Sequence, residues 1–183
     1  MIRFFLAAIL LLSLQSLSAQ DIYFTRTGQI DFHAGTSVED VDAVNNEVTS
    51  MVNIKTGDVV FNVLIKSFHF KRALMEEHFN ENYLESSKIP KSTFNGKITN
   101  LSAINFSKEG NYTATVEGDF TLHGVARKIT LPATITISKE GIRGVSHFSI
   151  KPQDYDIAIP SLVADKIAKE ISITIDCRYE PRK

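Results

Sequence analysis

Tryptophan is missing from this 183-residue chain, and cysteine occurs once, at Cys177. A lone thiol cannot close an internal disulfide, so the fold must be held by its core and its sheet hydrogen bonds. Cys177 reads either as a small buried hydrophobe or as an unpaired reactive thiol. The nine glycines and five prolines are scattered, and no Pro/Gly linker, repeat or low-complexity tract divides the chain. Neither sign of charge dominates: 20 Lys and Arg face 21 Asp and Glu. That balance gives no basis for strong attraction to nucleic acid or to an anionic membrane. Enzyme signatures are lacking too, with no Gly-x-Ser-x-Gly, phosphate-binding loop or dinucleotide fingerprint. The histidines, His33, His69, His78, His123 and His147, show no His-x-His or His-Glu-x-x-His spacing. No catalytic residue and no metal ligand is therefore assigned.

Long apolar runs are limited to one, the nine residues from Phe4 to Leu12. A membrane-spanning helix needs about 20. The run follows Met1-Ile2-Arg3 and precedes the small, polar stretch Ser13 to Ala19. This is the three-part grammar of a secretory signal peptide, with cleavage expected after Ala19 or Gln20. No cysteine lies near the cut, which excludes a lipid-modified N-terminus of the bacterial lipoprotein kind. A single domain over residues 21–183, periplasmic or secreted, is expected.

What the rest of the chain does have is alternation with a period of two. Ala114, Val116, Gly118, Phe120 and Leu122 share one face, and Thr115, Glu117, Asp119 and Thr121 the other. Ile129, Leu131, Ala133, Ile135 and Ile137 form a second apolar face, backed almost wholly by threonine. Ile171, Ile173, Ile175, Cys177 and Tyr179 form a third, Val59, Phe61, Val63 and Ile65 a fourth, and Ile30, Phe32 and Ala34 a weaker fifth. Such faces predict pleated strands with one wet side. Lys55-Thr56-Gly57-Asp58, Lys108-Glu109-Gly110-Asn111, His123-Gly124 and Lys139-Glu140-Gly141 read as turns between antiparallel neighbours.

From Lys71 to about Glu85 the period changes. Leu74, Met75, His78, Phe79 and Tyr83 fall at helical spacing, opposite Glu76, Glu77, Asn80 and Glu81, which predicts one amphipathic helix ending before Ile89-Pro90. A second short helical turn is expected over residues 161–168. About eight to ten strands, each wet on one side, admit either two packed sheets or a closed barrel. Meander order with one helical insertion favours an antiparallel up-and-down β-barrel whose helix lies on the sheet or caps one end.

Three segments, in order, resemble a known family. The first is Phe68-His69-Phe70 leading into Leu74–Ser86 and Ile89-Pro90-Lys91-Ser92-Thr93-Phe94. The second is Gly118-Asp119-Phe120-Thr121-Leu122-His123-Gly124-Val125, running on through Ala126-Arg127-Lys128-Ile129-Thr130-Leu131. The third is Asp154-Tyr155-Asp156-Ile157-Ala158-Ile159-Pro160, continuing to Asp165-Lys166-Ile167 and the last strand. Over essentially the whole mature chain the sequence is similar to the YceI-like family of exported, lipocalin-like proteins. The resemblance implies a barrel of about eight strands, a helix near one end, and an elongated apolar interior that holds a polyisoprenoid such as a quinone precursor, without catalysis. Many members carry an arginine, an aromatic and a glycine near the third motif, where this chain reads Lys151-Pro152-Gln153-Asp154-Tyr155-Asp156. The loop there is expected to differ.

The ligand-lining residues expected on this reading are Phe61, Val63, Ile65, Ala114, Val116, Phe120, Ala133, Ile135 and Ile173 on strands, with Leu74 and Phe79 on the helix. The small inward residues Gly96, Ala114, Gly118 and Ala133 either leave room for a prenyl chain or accommodate neighbouring bulk. Lys71 and Arg72, at the helix start, are candidates for meeting a polar head group, or form a solvated pair. The expected partner is an apolar lipid, with transient membrane contact, no nucleic acid and no cofactor beyond a bound isoprenoid. The chain is expected as a monomer or homodimer. The alternatives are a packed barrel acting through its surface in structure or stress response and, more distantly, a hydrolase or isomerase of an apolar substrate.

Overall fold

The computed structural model describes residues 21–182; the segment read as a signal peptide lies outside them. Among the described residues nine strands run in chain order: β1 (Ile22–Gly35), β2 (Asp42–Asn53), β3 (Asp58–Leu64), β4 (His69–Phe70), β5 (Lys91–Ile98), β6 (Gly110–Leu122), β7 (Val125–Ser138), β8 (Gly141–Ile150) and β9 (Ile167–Pro181). Every pairing is antiparallel, and β1 pairs with both β2 and β9. The sheet therefore closes into an eight-stranded up-and-down barrel. The two-residue β4 is an accessory that pairs with the start of β2.

Local chemistry accounts for the connections. His123 and Gly124 both adopt positive φ, 51° and 78°, and form the two-residue loop of a tight hairpin whose twist suits the flanking strands. The β7–β8 turn is equally short, since Ser138 pairs with Gly141. The glycine of the Lys108–Asn111 signal instead opens β6 after a longer β5–β6 loop that contains a 3-10 turn, Leu101–Ala103. The excursion between β3 and β5 holds the helix. Ala73-Leu74-Met75-Glu76-Glu77 are strong helix formers and make α1 (Ala73–His78), which continues as a π turn, Phe79–Tyr83. Glu76 accepts the Phe70 backbone N–H at 3.2 Å, and the Asn80 amide donates to the Glu76 carbonyl at 2.9 Å. Glu85, at φ 43°, ends the segment. The turn expected over 161–168 is a 3-10 turn at Ser161–Val163, and β9 already begins at Ile167.

The two ends of the barrel differ. At one end the interior is solid. Val52, Val59, Phe94, Ile98, Ala114, Val116, Ile135, Ile137, Cys177 and Tyr179 pack as one buried cluster. A Cβ on Gly118 would meet the Gly96 Cα at 2.4 Å and the Phe94 ring at 2.8 Å, and one on Gly96 would meet the same ring at 2.5 Å. The two glycines, paired across β5 and β6, are thus the recess that receives Phe94. Tyr179 and Ser50 share a 2.9 Å hydrogen bond within this end.

At the other end the strands splay. The β7–β8 ladder runs only from Ser138–Gly141 to Thr134–Val145. Pro132, which has no N–H to donate, lies beyond it, and its carbonyl accepts from the Ser146 hydroxyl at 2.7 Å. The segment Pro152–Ile159 covers the opening. Arg127 donates to the Asp154 carbonyl at 2.8 Å, His123 Nδ1 lies 3.2 Å from the Tyr155 carbonyl, and Tyr155 and Ile157 are buried against Ile65 and Leu84.

Candidate functional site: an apolar cavity under the helix

The splayed end holds a half-open cavity of about 360 Å³, within the usual size range of small-molecule pockets. Its walls are the inward faces of β1 (Ile30, Phe32, Ala34), β6 (Phe120, Leu122), β8 (Phe148, Ile150) and β9 (Ile171, Ile173), with Val63 and Ile65 at the end of β3. The helical stripe Leu74, Met75, His78, Phe79 and Tyr83 forms the roof, and Ile157 and Ile159 of the covering segment close the side. Toward the solid end, in register with the lining residue Phe120, Phe94 on β5 and Phe61 on β3 meet edge-on at 6.3 Å. Phe61 contacts both the solid cluster and the cavity-side cluster. Neither ring lines the cavity, and this layer underlies it as a floor. Phe79 anchors the roof, with its ring 5.5 Å from Phe32, 5.6 Å from Phe68 and 5.1 Å from Phe70. Tilted and edge-to-face pairs of this kind add about 0.5–1.5 kcal/mol each beyond area burial.

The structure separates the residues expected from sequence into two groups. Val63, Ile65, Leu74, Phe79, Phe120 and Ile173 line the cavity. Ala114, Val116, Ala133 and Ile135 face inward but sit in or against the solid end, and Phe61 lies at the boundary. The physical reason is that alternation reports which face of a strand is inside, not how far along the barrel a residue lies. Gly96, Gly118 and Ala114 serve packing, not vacant volume. Phe32, Phe68, Phe70, Phe148 and Ile157 line the cavity without having been singled out as ligand residues. Gly144 and Ser146 interrupt the inner face of β8 and mask its alternation, whereas the phenylalanine pair flanking His69 was a usable signal.

The mouth is the polar part of the lining. Arg72 Nη1 pairs with Glu39 Oε1, and Lys166 Nζ lies 3.3 Å from Glu39 Oε2. Hydrogen bonding from Lys166, then from Arg72, with their charges adding to it, holds the Glu39 carboxyl below its ordinary value against the opposing effect of desolvation. Lys71 does not join them. Arg72 has extended backbone, φ −121° and ψ 120°, so successive side chains point to opposite sides. Lys71 reaches outward to Asp40 at 3.2 Å and Asp42 at 3.7 Å. His33 Nδ1 is 2.5 Å from Asp42, so His33, Asp40 and Asp42 converge. The Lys71 ammonium already compensates this cluster, and its chemistry is that of a surface ion-pair network. Cys177 lies in the solid end, where burial pushes its thiol up to about 12. At neutral pH it is a packing residue and carries no thiolate.

Comparison with known proteins follows this geometry. The sequence profile of the YceI-like domain matches residues 21–179. The chain belongs to the YceI-like family. No curated protein sequence matches it significantly. Among solved structures, this YceI-like chain is similar to a polyisoprenoid-binding domain from Saccharophagus degradans implicated in plant cell wall breakdown (TM-score 0.76, 14% identity, covering 89% of this chain and 99% of that one). It is also similar to Burkholderia cenocepacia BcnA (TM-score 0.64, 12% identity, 81% and 94% covered) and to the Campylobacter jejuni YCEI protein (TM-score 0.62, 17% identity, 81% and 88% covered). At these identities the likeness is one of fold. Within that fold, the second and third family motifs touch each other here: His123 and Arg127 hold the backbone of Asp154 and Tyr155 across the splayed seam.

Proposed function

We propose that this YceI-like protein is an exported, non-catalytic binding protein that sequesters or carries one long apolar lipid, a polyisoprenoid or quinone precursor, with its tail in the cavity under α1. The observation that carries the reading is the half-open, mainly apolar cavity itself, walled by strands and roofed by an amphipathic helix. The ligand described for the Saccharophagus degradans domain supports an isoprenoid tail. Burial of each methylene contributes about 0.8 kcal/mol, so the protein needs no cofactor and no chemistry to hold its cargo. The signal-peptide-like pattern of residues 1–20 in the sequence supports a periplasmic or secreted location. Titration with unphosphorylated prenols of two, three and four isoprene units tests the reading. Affinity is expected to rise at least tenfold per added unit until the cavity is full. Affinity independent of chain length would favour a barrel that acts through its surface.

Transient membrane contact is part of the proposal. Val38, Leu74 and Leu162 are 60%, 54% and 88% exposed, and all three stand at the mouth. Leu74 itself lines the cavity, Leu162 adjoins the lining residue Val163, and Val38 shares a surface recess with Arg72, Met75 and Lys166. Exposed apolar side chains beside a mouth that carries Arg72 and Lys166 suit shallow insertion into a lipid interface. Substituting Val38→Ser together with Leu162→Ser is expected to slow prenol uptake from phosphatidylcholine vesicles several-fold and to leave equilibrium affinity within about twofold. Unchanged transfer rates would remove membrane contact from the account.

A further inference from the structure

Three charged groups from three separate segments meet at the mouth. Glu39 belongs to the β1–β2 loop, Arg72 immediately precedes α1, and Lys166 immediately precedes β9. All three line the cavity. The Glu39 side chain is the least exposed of them, at 22% against 61% for Arg72 and 43% for Lys166. Its two carboxylate oxygens are divided between the two cations, Oε1 to Arg72 and Oε2 to Lys166. The neighbouring acids do not compete for this position, because Asp40 and Asp42 are engaged by Lys71 and His33.

We propose that Arg72 and Lys166 form a binding site for the anionic head group of an amphiphile, and that Glu39 occupies this site in the empty protein as a built-in competitor. The inference rests on the cavity taking the tail. A carboxylate on one guanidinium and one ammonium at the rim of an apolar chamber has the arrangement that an anionic lipid head would adopt. The three groups carry a formal net charge of +1, and Asp40, Asp42 and Lys71, which line the same surface recess, bring its formal charge to zero. Once Glu39 is displaced, a dianionic head group neutralises the two cations more fully than Glu39 does. A hydroxyl head group gains nothing from displacing it. Partly exposed ion pairs are weak, so the exchange is undemanding. The loop stays near its position when Glu39 is released, because the Thr36 hydroxyl donates to the Asp165 carbonyl at 2.8 Å, beside Lys166. Glu39 thereby sets the preference between neutral and anionic cargo at the head group.

The test compares ligands with the same tail and different heads on the full mature chain: farnesol against farnesyl diphosphate, and hexadecanol against palmitate. Glu39→Gln is expected to tighten farnesyl diphosphate about tenfold and to leave farnesol within twofold. Arg72→Gln with Lys166→Gln is expected to weaken farnesyl diphosphate by a similar factor and again to spare farnesol. Palmitate following farnesyl diphosphate assigns the site to anions in general, and palmitate following hexadecanol restricts it to phosphates. An unchanged ratio of diphosphate to alcohol affinity in both variants, with farnesol still bound, overturns the head-group site alone. Failure of all four ligands to bind any version overturns the lipid reading and this inference together. Because the two variants shift the ratio in opposite directions, a folding defect common to both cannot imitate the result.

Discussion

Replacing Val63 and Ile173 together by phenylalanine is expected to abolish most lipid binding while the barrel remains folded. Both side chains line the cavity, Val63 at the end of β3 and Ile173 on β9. The added rings point into vacant volume, so the overpacking cost is at the low end of the usual range of about 1–3 kcal/mol. Displacing three methylenes of a bound tail at about 0.8 kcal/mol each removes about 2.4 kcal/mol, or roughly fifty-fold in affinity. Farnesol titration and a thermal melt of the same sample check both halves. A double variant that melts near the parent and still binds with parental affinity would show that the tail lies elsewhere.

Phe94→Ala is expected to have the opposite effect on capacity and the largest effect on stability. Phe94 is buried at the floor, its ring filling the recess made by Gly96 and Gly118 and meeting Phe61 edge-on. Truncating such a ring costs about 3–5 kcal/mol, which for a domain of this size lowers the thermal midpoint by about 10 °C. Its removal joins the cavity to the solid end, so the prenol length at which affinity stops rising should increase. A melt unchanged from the parent, or an unchanged length limit, would mean that Phe94 is not the floor.

The barrel was legible because most of its long strands obey one rule. Ile171 to Tyr179 on β9, and Ile129 to Ile137 on β7, alternate cleanly, and the turn residues between strands take the backbone conformations their types favour. The helix was legible for the complementary reason: its five-residue stripe at helical spacing forms the cavity roof intact. Depth along the barrel was not legible. Ala114 and Phe120 share one face of β6, yet Ala114 is sealed in the solid end and Phe120 borders the cavity. What separates them is the floor made by Phe61 and Phe94, a tertiary contact with no periodic signature. The mouth was half legible. Arg72 stands beside a recognisable helix start, but Glu39 and Lys166 lie in loops, and only closure of β9 on β1 brings them to it. Lys71 shows the same limit from the other side, since being next to Arg72 in sequence places it on the opposite side of an extended backbone.

The most direct test of the account is native mass spectrometry of the protein purified from its own host, alongside the Val63→Phe/Ile173→Phe variant. The account predicts a polypeptide beginning near Asp21 that carries one long-chain lipid per subunit, with the lipid lost in the variant. A chain of bare polypeptide mass in both preparations would contradict it, and a lipid retained equally by both would place the cargo outside the cavity.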